Sequence, residues 1–328
     1  MVEDCSDVEL IERKAEIGKA LRESFLKTDK QLLQMCADRG GLDFASSTGV
    51  VALFWHHMLS VAHVADSRAC LARMPEGSDS LVCEWLTVDH KPDQPHELKR
   101  IQDAGGCLVY LHGNKPFIRG GDFLPRQALG HHPKQLNYSR AFGGKDLKPF
   151  GLSAEPSISH RKLVEQEDKF IIIASDGLWD TLPLKSICEI AWRTHLDLKA
   201  NPAKGAGVQM IANEIVAACL KHMPLTTVRD NVSVVVIMLD WDTEKSVPSS
   251  AAYAPSGGSR AAARASGAIL GSKSSSAVGF GSATSSAPGS SRSLAGTGTN
   301  SINASMNKLQ VAGGYTEQPT ATEQTDDL

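Results

Sequence analysis

Carboxylates stand in this sequence at the ends of expected β-strands. Asp176 follows the apolar run Lys169–Ser175, and Asp230 precedes the apolar run Val232–Leu239. If the two runs are antiparallel neighbours, both side chains arrive at one edge of a sheet. Asp66 trails the apolar positions Val61 and Val64, and Asp180 lies four residues after Asp176 in Asp-Gly-Leu-Trp-Asp. Carboxylates gathered on one edge repel one another unless a cation neutralises them, and hard oxygen donors suit Mg²⁺ or Mn²⁺. Asp at a strand end also serves ordinary turn chemistry, so spacing alone leaves both readings open. The pairs His56-His57 and His131-His132 fall in expected loops and read as solvated residues rather than ligands.

Around these positions the hydropathy pattern alternates between two periods. Leu10, Ile17, Leu21, Phe25, Leu32 and Cys36 recur at four- or seven-residue spacings, which predicts a helix over 8–36 with a break or second cap at Thr28-Asp29. Thr48–Trp55 and Leu59–Val64 are β-rich and predict a hairpin turning at His56-His57-Met58. Strands are expected again at Ala69–Arg73, Leu81–Val88 and Cys107–Leu111, with a short helix over Pro95–Ala104 that stops at Gly105-Gly106. Gly113 to Pro149, rich in Gly, Pro and His, reads as a long surface loop with some local structure. Helical patterns at Leu184–His195 and Val208–His222 separate the two apolar strands that carry Asp176 and Asp230. Strands from both halves flanking a few helices give an α+β fold of layered antiparallel sheets.

Composition divides the 328 residues unevenly. From Ala251 to Asn300, 34 of 50 residues are Ala, Ser or Gly, with Arg260, Arg264, Lys273 and Arg292 but no acid. Such a stretch buries too little apolar area to offset its ordering entropy. The expectation is a domain over 1–242 and a disordered Ser/Ala/Gly-rich tail over 243–328. The net charge of −3 leaves no broad basic footprint for nucleic acid. No apolar run approaches the roughly 18 residues that span a bilayer. Seven dispersed cysteines without a CxxC pair read as reduced structural thiols, so an intracellular protein is expected, with no membrane and no nucleic-acid partner.

A family resemblance then emerges from specific residues. Ala174-Ser175-Asp176-Gly177-Leu178-Trp179-Asp180 and Arg229-Asp230-Asn231-Val232-Ser233 resemble the metal-dependent PP2C (PPM) serine/threonine phosphatases. So do Leu86-Thr87-Val88-Asp89-His90-Lys91-Pro92, Arg100-Ile101, Ala104-Gly105-Gly106, Ser139-Arg140-Ala141-Phe142-Gly143 and Ser153-Ala154-Glu155-Pro156. Val64-Ala65-Asp66-Ser67-Arg68-Ala69 is similar to the family's VGDSRA with Ala65 in place of glycine, and Ser46-Ser47-Thr48-Gly49 resembles GSTA. The motifs follow family order from Ala20 to Leu239.

The resemblance implies an α-β-β-α sandwich and hydrolysis of phosphoserine or phosphothreonine in a phosphorylated protein substrate. It also implies two Mg²⁺ or Mn²⁺ ions that activate water. By the same resemblance Asp176 and Asp230 match metal ligands, while Asp66, Asp180 and again Asp176 match a weaker third site. Asp66, like Asp146, could equally be structural. A monomer in the cytoplasm or nucleus is expected.

The family's Asp-Gly-His-Gly-Gly motif is absent, so no residue is assigned as catalytic acid or as phosphate-gripping arginine. The expectation is a fold lacking its first strands and inactive as this chain, because the coding sequence starts downstream of the true N-terminus. The second reading is a pseudophosphatase that binds rather than hydrolyses. The acidic residue after Arg140-Ala141-Phe142-Gly143 is shifted to Asp146, and Asp122–Asn137 is longer than usual beside the substrate cleft, so substrate preference is expected to differ.

Overall fold

The computed structural model describes residues 7–40, 45–201, 207–223, 230–241 and 309–316. In chain order these form α1 (Asp7–Arg39), β1 (Ser46–Ser47), β2 (Gly49–Trp55), β3 (Met58–Val64), β4 (Arg68–Arg73) and β5 (Val82–Trp85). Next come α2 (Pro95–Asp103), β6 (Cys107–Leu111), β7 (Lys115–Arg119), α3 (Phe123–Ala128), β8 (Phe142–Gly143) and a 3₁₀ turn at Lys145–Phe150. The remainder is β9 (Ser157–Lys162), β10 (Asp168–Ala174), α4 (Asp176–Trp179), α5 (Leu184–Ala200), α6 (Val208–His222), β11 (Val232–Leu239) and β12 (Leu309–Thr316).

Two antiparallel sheets dominate, one ordered β2-β3-β9 and the other β12-β11-β10-β4-β5. Side chains on a strand alternate between faces, and here both faces of the central strands are covered. Phe170, Ile172 and Ala174 of β10 join Val232, Val234 and Val236 of β11 against Ile187 and Ala191 of α5 and Ile211 and Ile215 of α6. The alternate residues Ile171, Ile237 and Leu239 pack instead on Leu71, Leu59 and Val61, filling the space between the two sheets. On the far face of the three-stranded sheet, Leu21 and Phe25 of α1 cover Ala62 and Val64. The layers therefore run helix, sheet, sheet, helix. Burial on both sides explains why β10 and β11 read as continuous apolar runs rather than alternating ones.

Several expectations need amendment. α1 runs unbroken through Thr28-Asp29 because Asp29 has tertiary work: Oδ1 accepts the Gly143 amide at 2.7 Å and pairs with Lys148 Nζ at 2.9 Å. The expected loop over 113–149 contains β7, hairpinned to β6, together with α3 and β8. β9, which had no sequence signal, closes one side of β3. Within the segment expected as a disordered tail, Leu309–Thr316 forms β12 and pairs with β11 along its length. The rest of that segment lies outside the described residues. So does Arg229.

Candidate metal centre

β10 and β11 are antiparallel neighbours, with Ala174 opposite Val234, so the end of one and the start of the other share an edge. The junction is stitched beyond the ladder. Ser175 N donates to Ser233 O at 3.0 Å, Ser175 Oγ donates to Asn231 O at 3.2 Å, and Ser233 N donates to Ser175 Oγ at 3.1 Å. Gly177 permits this approach, since a Cβ there would stand 2.4 Å from Asn231 O. Asp176 opens the single turn of α4, and Asp180 follows it with its amide donating to Asp176 O at 2.8 Å. Trp179 is buried beneath this turn; its indole donates to Ala174 O at 2.9 Å and meets Trp85 edge to face at 5.0 Å.

Asp66 sits on the turn between β3 and β4, buried next to Ala65, whose φ of 71° is a left-handed conformation unusual for a residue with a Cβ. That turn is clasped by the segment after β5: His90 N donates to Ala65 O at 3.0 Å, and Lys91 Nζ donates to Asp66 Oδ2 at 2.6 Å. Arg68 grips Asp89 through two hydrogen bonds of 2.6 and 2.7 Å, reaches Asp180 at 3.7 Å and lies over the Trp85 ring. Asp89, His90, Lys91 and Arg68 stand within motifs of the sequence, but the sequence alone assigns them no task. The visible signal is the opposite charge packed into Asp66-Ser67-Arg68 and Asp89-His90-Lys91.

Electrostatics joins all four expected carboxylates. Burial, then repulsion from Asp66, Asp230 and Asp180, raises the Asp176 carboxyl to about 6, with Lys91 the opposing influence. Burial also raises Asp66, against the pull of Lys91. Tyr138 belongs to the same edge: its hydroxyl contacts Ser46 Oγ at 3.1 Å, and burial, together with Asp66 and Asp176, pushes its ionisation up. Asp230 is exposed, with Oδ1 accepting the Asn231 amide at 2.7 Å. Asp146 stands apart from these carboxylates in its bonding: it pairs with Arg126 at 3.1 Å. Of the expected non-ligands, His131 and His132 are exposed, while His57 lies against Trp241 and faces Glu165 at 3.5 Å.

Another buried carboxylate is treated differently. Glu97 of α2 is fully buried, and it accepts from Arg100 Nη2 at 2.6 Å, from Arg140 Nε at 2.8 Å and from Ser139 Oγ. Burial would raise it, but these three donors outweigh burial and hold it at about 2. Arg100 also donates to the carbonyls of Gly151 and Ser139, and Arg140 to that of Glu155, so the knot fixes the segment leading out of the loop region.

The donor types at the edge fit a hard divalent cation, and after burial the further rise of Asp176 comes from three neighbouring carboxylates, with Lys91 opposing them. Among the described residues, no three His, Cys, Asp or Glu side chains are drawn together closely enough to hold a metal as they stand. Among them, too, no helix is long and apolar enough to cross a membrane.

The protein phosphatase 2C family model matches residues 6–223. The chain belongs to that family. It is 32% identical over 232 residues to the probable protein phosphatase 2C 33 of Arabidopsis thaliana, covering 70% of this chain and 44% of the relative. It is 29% identical over 221 residues to human protein phosphatase 1A, covering 67% of this chain and 50% of the relative. The chain thus spans half or less of the length of these two relatives. Among solved structures, a serine-threonine phosphatase 2C from Toxoplasma gondii matches with a TM-score of 0.63 and 36% identity, over 72% of each chain. This agrees with the α+β sandwich described above.

Proposed function

We propose that this chain carries part of a protein serine/threonine phosphatase that uses Mg²⁺ or Mn²⁺, with its phosphatase domain over 1–242. The observation that carries the reading is that Asp66, Asp180 and Asp230 stand around Asp176, whose carboxyl is raised to about 6 first by burial and then by repulsion from these three. Asp176 and Asp230 would hold the principal cations, and Asp66, Asp176 and Asp180 a weaker one. When bound, such ions polarise phosphoryl oxygens and lower the pKa of a water molecule. The chain's own contribution is placement. The Ser175 stitching fixes the Asp176 and Asp230 segments side by side, and the Arg68–Asp89 fork holds Asp180 near the same edge. The substrate class is a phosphate monoester on serine or threonine of a protein.

A second reading has its own support. The sequence contains no Asp-Gly-His-Gly-Gly, and among the described residues no ready three-donor set exists. On that basis the chain as it stands is proposed to be inactive, and a binding module is the alternative. Phosphopeptide hydrolysis measured with Mn²⁺ and with a chelator decides between them. No turnover, with Mn²⁺ bound in a calorimetric titration, is the expected result for this chain. Robust Mn²⁺-dependent turnover removes the claim of inactivity, and failure to bind Mn²⁺ removes the metal reading.

A further inference from the structure

The four carboxylates of the edge are not in the same state. Asp66 is almost wholly buried, with 3% of its side chain exposed, yet its Oδ2 is already in contact with a cation, the Lys91 ammonium at 2.6 Å. Among the described residues, Asp176 and Asp230 have no such ion pair. Asp180, half exposed, is reached by Arg68 only at 3.7 Å, so among the described residues Asp66 is the buried member of the four whose burial is partly offset by a close positive charge from the chain itself.

The surroundings of Lys91 allow that charge to leave. The backbone around it is pinned, through His90 N to Ala65 O at 3.0 Å and through Gln94 Nε2 to Asp89 O at 2.7 Å. Its side chain is 30% exposed, so the four-carbon stem can turn toward water without moving the segment. A second carboxylate lies within reach: Asp89 Oδ2, which accepts from Arg68 at 2.7 Å and keeps a further lone pair, is 3.7 Å from Lys91 Nζ. An ammonium and a divalent ion cannot share the same carboxylate oxygen closely, because like charges in a poorly solvated turn repel.

We infer that Lys91 is a tethered counter-ion that occupies Asp66 in the cation-free chain and withdraws toward Asp89 or solvent when a divalent ion takes that carboxylate. The inference rests on the proposed metal reading and adds a regulating element to it. Binding at Asp66 is a displacement of one cation by another, whereas binding at Asp176 and Asp230 is an addition. Two classes of affinity follow from one cluster of similar ligands. The weaker class is set by the lysine rather than by a shortage of oxygen donors.

The test uses the unmodified full chain first. Lys91 is acylated with an N-hydroxysuccinimide ester at increasing Mn²⁺, and peptide mass spectrometry reads the yield, with exposed Lys162 as the internal control. The expected result is a several-fold rise in Lys91 labelling, centred on the weaker binding class counted by the electron paramagnetic resonance of free Mn²⁺. In Lys91→Gln that class tightens by roughly tenfold or more, while Lys91→Arg leaves it weak. If Mn²⁺ binds in two classes but Lys91 labelling stays flat, the counter-ion role is wrong and the metal reading stands. The counter-ion role also fails, alone, if Lys91→Gln, folded by near-ultraviolet circular dichroism, binds like the original chain. If no Mn²⁺ binds at all, both fall together.

Discussion

Glu97 and Asp176 are both carboxylates withdrawn from water in the same domain, and the fold treats them in opposite ways. Around Glu97 the chain brings two arginines and a serine hydroxyl, and the carboxyl falls to about 2. Around Asp176 it brings three more carboxylates, and the carboxyl rises to about 6. Burial pushes both upward, so the difference lies in the neighbours. The Glu97 knot is complete without any addition, as a structural ion cluster must be. The Asp176 edge lacks such a set of donors, as the proposed metal reading would have it.

The sharpest way to break this contrast is Glu97→Gln. It strands Arg100 and Arg140 in a buried site, and a loss of about 3–5 kcal/mol in chemical denaturation is expected. A loss below about 1 kcal/mol would mean that the knot does not anchor the domain. Asp176→Asn should do the reverse in the metal-free protein. Relief of repulsion raises stability by about 1–2 kcal/mol at pH 8, and Mn²⁺ affinity falls by at least tenfold. Destabilisation with unchanged Mn²⁺ binding would contradict the assignment.

The smallest effect is in pH. Because folding raises Asp176 above its ordinary value, its stabilising contribution is full below the normal carboxylate range and is lost as pH rises through about 6. Glu97 has the opposite sign: its contribution is present above the normal range and lost as pH falls through about 2. Mn²⁺ binding should therefore release about half a proton per site near pH 6 and almost none at pH 8, measurable by calorimetry in buffers of different ionisation enthalpy. Equal release at both values would remove Asp176 from the ligand set.

The legible part of this molecule is the part dictated by local pattern. β11 and α6 have the expected bounds, Val232–Leu239 and Val208–His222, because apolar periodicity set both. The meeting of Asp176 and Asp230 needed one further step, the antiparallel pairing of two buried strands. β9 was invisible because Ser-Ile-Ser-His-Arg-Lys has a single apolar residue, Ile158, and owes its strand form to pairing with β3. The continuity of α1 through Asp29 depends on Gly143 and Lys148, more than a hundred residues away, which no window contains. Lys91 and Glu97 escaped for the same reason. A charge in a sequence carries no sign of which partner the fold will bring to it, and Glu97 meets Arg140 across 43 residues.

The indole pair beside the carboxylates has an optical consequence. Trp85 and Trp179 are held edge to face at 5.0 Å, with the Arg68 guanidinium over Trp85 and Asp180 next in sequence to Trp179. Two chromophores fixed at that separation share their excitations, and the cation above one of them tunes its electronic levels. The edge thereby contains its own reporter. A rearrangement of Arg68 is expected to change the emission of this pair, read as a difference from Trp85→Phe because Trp55, Trp192 and Trp241 emit as well.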